Sequence, residues 1–222
     1  MYRAISLDVY GTVVHEDDGV LTPICDQVAE LAGVDASIIA DHWWRLFREA
    51  NQLSHGENFR RQGELNRDTL AATMRHFGVH EDAARLCEPQ VAYWRQPPIY
   101  SDSLQFLQHV GLPICLVSNI DRDDLEAAID HHGLVVSAVV TSEDARAYKP
   151  RAEPFELALR TLGLPADKVL HVGDSLTADV AGAEAMRLDT AWINRSGRRL
   201  PEGCAPTYKA PSLAELLVVL GL

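Results

Sequence analysis

Strand-like and helix-like segments alternate along the second half of the chain. Four short runs of aliphatic and β-branched residues predict strands at 113–117, 138–140, 168–172 and 190–193. Apolar residues at helical spacing predict helices at 123–132, 154–162 and 177–186, between consecutive strands. Alternation of this kind predicts a parallel sheet with helices on both faces, because parallel strands need crossover connections.

The first predicted strand is separated from the others by a long helical stretch. Residues 4–9 predict a short buried strand, after which Gly11 breaks the pattern. The residues that follow carry four apolar stripes at helical spacing, with no strand-like alternation. We therefore predict an α/β fold in two parts: a Rossmann-like parallel-sheet core at 1–15 and 96–222, and a helical cap domain at 16–95 inserted after the first strand.

The composition is that of a globular protein with an excess of acidic residues. Of 222 residues, 47% are hydrophobic and 23% are charged, and the formal net charge is −12. An acidic protein repels nucleic acid and anionic membranes, so we expect neither as a partner. Four scattered cysteines without a Cys-x-x-Cys pair, and an N-terminal segment without a long apolar region, favour a cytoplasmic location.

Polar clusters follow three of the predicted strands. Asp8 ends the first strand, Ser118 and Asn119 follow the next, and Asp174 follows the run at 168–172. Each residue alone is typical of a turn or a helix cap. Because ligands of such sheets bind beyond the carboxyl ends of the strands, we expect these side chains to converge in one crevice that the helical insert covers.

The residue types of this crevice suit hydrolysis through a covalent intermediate. A carboxylate such as Asp8 can attack a phosphoryl group or an sp³ carbon, and water then hydrolyses the adduct. Lys149 can offset the charge of an anionic substrate, and Ser118 can hydrogen-bond its oxygens. Asp174 and Asp179, together with Asp8, offer the hard oxygen ligands that Mg²⁺ prefers. We therefore predict Mg²⁺ as cofactor and a small anionic molecule as substrate.

The order and spacing of the polar clusters resemble the four motifs of the haloacid dehalogenase (HAD) superfamily. The clusters are Asp8-Val9-Tyr10-Gly11-Thr12, Ser118-Asn119, Lys149-Pro150, and Gly173-Asp174-Ser175 with Asp179. The helical insert also resembles the cap of that family in type and position. The resemblance implies a hydrolase with Asp8 as nucleophile and with Asn119 shaping the second motif. It also implies Mg²⁺ binding by Asp8, Asp174 and the Tyr10 carbonyl, with Asp179 in support.

Two residues are predicted to bind the substrate. Thr12 lies in the first motif, and Arg45 follows Trp43 and Trp44 in the insert. Arg45 resembles the cap arginine that dehalogenase-type members aim at the substrate carboxylate; a surface arginine with a buried stem is the alternative. Trp43, Trp44 and Trp94 are predicted to pack inside the cap.

The first and fourth motifs point to different branches of the superfamily. Asp-x-Tyr-Gly-Thr resembles the L-2-haloacid dehalogenases, whose halide leaving group needs no proton. Phosphatase members carry a general acid where this chain has Tyr10, and an unperturbed phenol with a pKa of about 10 suits that task poorly at neutral pH. The acidic loop at 173–179 instead resembles the Mg²⁺-dependent phosphatases, since those dehalogenases carry a Ser-Ser-Asn type of loop and use no metal.

The function we predict is Mg²⁺-dependent hydrolysis of small phosphate esters or anhydrides. A metal-independent 2-haloacid dehalogenase, in which Asp8 attacks carbon, is the first alternative. A non-catalytic binding protein on the same fold is the second, because a fold alone does not establish a function.

Overall fold

Six parallel strands form the sheet at the centre of the molecule. The computed structural model describes all 222 residues. Its strands are β1 (Ala4–Leu7), β2 (Ile114–Ser118), β3 (Ala138–Thr141), β4 (Val169–Gly173), β5 (Asp189–Ile193) and β6 (Tyr208–Ala210). They are ordered β3-β2-β1-β4-β5-β6, which confirms the predicted fold class. The sequence pattern does not reveal β6, because three residues are too few for a periodic signal.

Four helices between β1 and β2 form a separate layer. They are α1 (Asp18–Ala32), α2 (Ala36–Leu53), α3 (Gln62–His76) and α4 (Ala83–Arg95), one for each predicted apolar stripe. Their apolar faces meet in a core of their own, which includes Ile24, Val28, Ile39 and Leu70. A layer with its own buried core supports the proposed cap at 16–95.

The remaining helices flank the sheet on both faces. They are α5 (Ser103–His109), α6 (Arg122–His132), α7 (Ser142–Ala145), α8 (Ala152–Leu162), α9 (Gly182–Ala185) and α10 (Leu213–Leu220). Phe106 and Leu125 pack with Ile5 on one face, whereas Phe155 packs with Ala4 on the other. The segment predicted as a helix at 177–186 is a π-helical turn followed by the short α9. No helix combines the length and the apolar character needed to cross a membrane.

The central position of β1 follows from its burial. All four of its residues are buried, as expected for a parallel strand that is covered on both faces. Leu7 pairs with Leu116 of β2 on one side and with Val172 of β4 on the other. The carboxyl ends of these three strands therefore lie side by side.

The cap lies over this edge of the sheet and is hydrogen-bonded to the core. Asp121 accepts from the backbone N–H groups of Gln62 at 2.7 Å and Gly63 at 3.0 Å. On α4, the Arg95 guanidinium donates to Asp124 at 2.7 Å. A cavity of about 940 Å³ lies between the two layers.

Candidate active site

The predicted motifs meet at the carboxyl edge of the sheet. Asp8 lies one residue beyond β1, Ser118 is the last residue of β2, and Asp174 lies one residue beyond β4. Gly173 allows the close approach of Asp179, because a Cβ atom at position 173 would overlap the Asp179 side chain. Asp8, Ser118, Asp174 and Asp179 all line the cavity under the cap.

Lys149 joins Asp8 to Asp179. Its ammonium donates to Asp8 Oδ1 at 2.7 Å, to Asp179 Oδ1 at 2.6 Å and to the Val117 carbonyl at 2.8 Å. These bonds use all three hydrogens of the ammonium group, which is buried. Lys149 therefore orients the two carboxylates and presents no spare donor to a substrate.

Thr12 and Asn119 hold Asp8 and Lys149 in place. The Thr12 hydroxyl donates to Asp8 Oδ2 at 2.9 Å. Asn119 Oδ1 accepts from the Lys149 backbone N–H at 2.7 Å, and Asn119 Nδ2 donates to the Lys149 carbonyl at 3.0 Å. Thr12 is fully buried and does not line the cavity. In the structure Thr12 thus positions Asp8, and its substrate-binding role remains a prediction.

Asp179 is anchored from the interior of the sheet. Its Oδ1 accepts from His171 Nε2 at 3.2 Å, and its Oδ2 accepts from the Ser175 N–H at 3.0 Å. Because a carboxylate acceptor requires the proton on Nε2, His171 Nδ1 accepts from the Ser6 hydroxyl at 2.9 Å. Burial lowers the pKa of His171, which keeps the ring neutral. His171 thus supports Asp179 without adding charge.

The three carboxylates of the site differ in their electrostatic surroundings. Burial alone would raise the pKa of Asp179, but the Lys149 ammonium and the hydrogen bond from His171 together outweigh it and hold that pKa well below its usual range. Burial raises the pKa of Asp8, and the charges of Asp179 and Asp174 add to this effect. Burial and Asp179 raise the pKa of Asp174 to about 6. The buried lysine leaves part of the negative charge unbalanced, so the site favours a further cation.

The residues present fit a Mg²⁺ ion. One oxygen from each of Asp8, Asp174 and Asp179 lies within 4.8 Å of the others. The Tyr10 carbonyl accepts no hydrogen bond from the protein. Gly11, with a φ of 86°, allows Asp174 to approach the backbone closely, because a Cβ atom there would lie only 2.7 Å from Asp174 Oδ1. Hard oxygen donors placed this close together are the surroundings that Mg²⁺ prefers.

Two residues from β5 and the loop after it fix Asp174. Trp192 Nε1 donates to the Asp174 carbonyl at 2.8 Å. Arg198 donates to the same carbonyl at 2.7 Å and to Asp174 Oδ2 at 3.2 Å. The sequence motifs do not include Arg198, because a charged loop residue beside Gly197 carries no periodic signal. Its half-exposed side chain supplies the second positive charge near the acidic residues.

The Tyr10 hydroxyl is used in a contact between core and cap. It donates to the Trp94 carbonyl of α4 at 2.5 Å. Burial, together with the nearby acids Asp124 and Asp17, raises the pKa of Tyr10 far above its ordinary value. With its hydrogen given to the Trp94 carbonyl, the hydroxyl is not free in this structure to protonate a leaving group. The place of the general acid in phosphatase-type members is therefore filled by a structural contact.

Trp44 and Arg45, adjacent on α2, differ from their sequence-based predictions in where their side chains lie. The Arg45 side chain is 54% exposed, pairs with Glu49 at 3.1 Å and does not line the cavity. In this structure Arg45 is therefore a surface arginine, as in the alternative, and its substrate-binding role remains a prediction. Trp44 lines the cavity and is 59% exposed, in contrast to the packing predicted for it. Trp43 and Trp94 are buried, as predicted.

Known proteins resemble this chain over most of its length. A family model for haloacid dehalogenase-like hydrolases matches residues 2–187. The (S)-2-haloacid dehalogenase of Pseudomonas sp. (strain YL) is 31% identical over 95% of this chain and 91% of its own length. The ribulose-1,5-bisphosphate 5-phosphatase of Halopiger xanaduensis is 35% identical over 45% of this chain and 42% of its own. The structure of L-2-haloacid dehalogenase from Xanthobacter autotrophicus, 24% identical, has a TM-score of 0.77 over 100% of this chain and 99% of its own.

These relatives support the first alternative, a 2-haloacid dehalogenase, better than the predicted phosphatase. The relative matched along nearly the whole chain is a dehalogenase, and the phosphatase matches less than half of it. Membership of the family does not depend on which of these two relatives is the better guide, because the family model covers well over half of the chain. The chain is a hydrolase of the haloacid dehalogenase-like family, as its four motifs imply.

Proposed function

We propose that the chain hydrolyses small phosphate esters or anhydrides with Mg²⁺, through a phosphorylated Asp8. The observation that carries this proposal is the cluster of Asp8, Asp174 and Asp179, whose oxygens lie within 4.8 Å of one another. A divalent cation is the ordinary partner of three carboxylates arranged in this way. In a metal-free reaction of an anionic substrate, Asp174 would contribute only repulsion.

The charges around the cluster support a need for a cation during catalysis. The three carboxylates face one buried ammonium, that of Lys149, and the half-exposed guanidinium of Arg198. A phosphate monoester brings a further charge of about −1.5 to −2 at neutral pH. Asp8, Asp174 and the Tyr10 carbonyl would hold Mg²⁺, whose charge lets an anionic nucleophile approach an anionic phosphate.

The residues of the chain have separate tasks in the proposed reaction. Lys149 and Thr12 orient the Asp8 carboxylate through hydrogen bonds of 2.7 and 2.9 Å, and one of its oxygens attacks phosphorus. The bond between phosphorus and the leaving oxygen breaks, and the electron pair departs with that oxygen. Water then attacks phosphorus, which releases inorganic phosphate and restores Asp8. Ser118 lines the cavity beside Asp8, where its hydroxyl can hydrogen-bond the phosphoryl oxygens.

Dehalogenation of (S)-2-haloacids is a second candidate, favoured by the Pseudomonas relative that matches 95% of this chain. Asp8 would then attack carbon, and halide leaves without a proton, so the engaged Tyr10 hydroxyl is no obstacle. Two features of the site oppose this reaction. Arg45, the residue expected to bind the substrate carboxylate, lies outside the cavity. Asp174 adds negative charge where an anionic substrate would bind.

A paired assay separates the two candidates. The purified chain is incubated with acetyl phosphate, phenyl phosphate and (S)-2-chloropropionate, with Mg²⁺ or with EDTA, and released phosphate and chloride are measured. We expect phosphate release that EDTA abolishes. Chloride release that resists EDTA, without release of phosphate, would overturn the proposal and establish the second candidate.

The matched control for this assay is Asp8→Asn, which keeps the shape of the side chain and removes the attacking charge. Loss of a nucleophile should lower turnover by on the order of 10⁴-fold or more in whichever reaction the chain catalyses. If the wild type released no more phosphate or chloride than Asp8→Asn under any condition, the chain would be a binding protein on this fold.

A further inference from the structure

The cap wall of the cavity carries an aromatic pair with free surface. Trp44 and Phe47, three residues apart on α2, stack with their ring centroids 5.9 Å apart and 14° between their planes. Both line the cavity that contains Asp8. Trp44 is 59% exposed, whereas the adjacent Trp43 is 5% exposed and belongs to the core of the cap. A large ring that faces a substrate cavity offers an apolar surface for a flat substrate group.

The cap wall also carries no positive charge. The lysine and arginine residues that line the cavity are Lys149, Arg195 and Arg198, and all three belong to the core. The cap contributes three acidic residues at its junction with the core, Glu16, Asp17 and Asp18, besides neutral side chains. A second phosphate or carboxylate on the substrate would be repelled there. The part of the substrate that faces the cap is therefore not anionic, and a neutral ring meets this condition.

The leaving group has to depart without a proton donor at position 10. The Tyr10 hydroxyl gives its hydrogen to the Trp94 carbonyl at 2.5 Å. An alkoxide resembles hydroxide, whose conjugate acid has a pKa of about 15.7, and it is a poor leaving group without protonation. A phenolate leaves far more readily, because phenols such as the tyrosine side chain have a pKa of about 10. An aryl oxygen meets this requirement and brings a flat ring for Trp44.

We infer that the substrate is a phosphate ester of an aromatic alcohol, with its ring held by Trp44 and Phe47. This inference rests on the proposed phosphatase function. Asp8 attacks phosphorus, the bond from phosphorus to the aryl oxygen breaks, and the phenolate leaves with the electron pair and takes a proton from water. A second water hydrolyses the phosphorylated Asp8, so that the products are a phenol and inorganic phosphate. The ring is bound before and during bond cleavage, so Trp44 acts mainly on KM.

The test compares 2-naphthyl phosphate with acetyl phosphate, which has a good leaving group but no ring. Trp44→Leu keeps an apolar side chain without a ring, and it should lower kcat/KM for 2-naphthyl phosphate about tenfold, mainly through KM. The same variant should change kcat/KM for acetyl phosphate by roughly twofold at most, because only the ring contact is lost. Trp44→Phe should keep most of the activity on 2-naphthyl phosphate. The matched control is Leu53→Ala, on the same helix, exposed and outside the cavity.

The outcomes distinguish failure of this inference from failure of the proposed function. Equal losses on both substrates, or no loss on either, in a folded Trp44→Leu variant would overturn the inference and leave the function standing. No phosphate release from either substrate by the wild type with Mg²⁺ would overturn both. Inhibition of acetyl phosphate hydrolysis by 2-naphthol gives a second measurement, since Trp44→Leu should weaken this inhibition about tenfold. Equal inhibition of wild type and variant would count against the inference.

Discussion

The two walls of the cavity are built in opposite ways. In the core wall, Lys149 joins Asp8 to Asp179, and every oxygen of these two carboxylates accepts a hydrogen bond. In the cap wall, Trp44 and Phe47 keep free aromatic surface. The core wall fixes the atoms that react, and the cap wall leaves space and surface for a variable group. In this chain the sheet thus specifies the chemistry, and the cap is suited to the choice of substrate.

The difference also predicts how each wall responds to substitution. A partner removed from the core wall leaves a charge buried without compensation, which is among the most destabilising changes in a protein. A side chain removed from the cap wall loses contact area with a substrate and little contact with the protein itself. Effects on stability should therefore concentrate in the core wall.

The largest effect is expected for Lys149→Met. The substitution keeps a long side chain but leaves Asp8 and Asp179 buried and unpaired. The free energy of unfolding should fall by about 3–5 kcal/mol, measured by urea denaturation at neutral pH, and turnover should be lost. Trp44→Leu is the control from the opposite wall, and as an exposed substitution it should change the same quantity by about 0.5 kcal/mol. Equal destabilisation by the two variants would contradict the comparison.

The sequence predicts the core wall because the end of a buried strand has a defined place in a parallel sheet. Asp8, Ser118 and Asp174 each end or follow a short apolar run, and parallel strands bring their carboxyl ends to one edge. Lys149 lies in a loop between helices, where no periodicity operates. Its motif alone suggests a role, and its three bonds to the site appear only in the structure.

The cap wall could not be predicted in the same way, because helical periodicity identifies a buried face and nothing more. Successive residues of a helix point about 100° apart. On α2, Trp43 therefore enters the core of the cap, Trp44 faces the cavity and Arg45 reaches solvent. Whether Trp44 or Arg45 faces the cavity depends on how the whole cap docks on the core. That docking rests on contacts such as Asp121 with the start of α3, which are distant in sequence.

An effect of intermediate size is expected at Asp174, where the free energy of unfolding should depend on both pH and Mg²⁺. Its pKa is raised to about 6 in the folded chain, chiefly by burial. Between pH 4 and pH 6 the folded state therefore holds a proton that the unfolded state has lost, so stability in EDTA should fall as the pH rises through this window. The decline over the whole window should be roughly 3 kcal/mol. Bound Mg²⁺ would remove it by stabilising the ionised carboxylate.

The measurement is urea denaturation at pH 5 and pH 8, with EDTA or with Mg²⁺. Stabilisation of the wild type by Mg²⁺ should be larger at pH 8 than at pH 5, because protons compete with the ion at the lower pH. Asp174→Asn should show a smaller decline in EDTA and little response to Mg²⁺. An equal response to Mg²⁺ in wild type and Asp174→Asn would exclude Asp174 as a ligand.

The smallest effect is expected where the two walls meet. The Tyr10 hydroxyl connects them through its hydrogen bond to the Trp94 carbonyl. Tyr10→Phe keeps the ring and removes this bond, so the free energy of unfolding should fall by about 1 kcal/mol. Phosphate release should change little, because the hydroxyl does not protonate the leaving oxygen.

A series of substituted phenyl phosphates tests this last point. Plots of log kcat/KM against the pKa of the leaving phenol should be parallel for wild type and Tyr10→Phe. If Tyr10 were the general acid, its removal would slow hydrolysis by about 10²–10⁴-fold, and the poorest leaving groups would lose most. A steeper plot for Tyr10→Phe would therefore place the Tyr10 hydroxyl in the reaction. The division between a reactive core wall and an unreactive cap wall would then fail at the residue that joins them.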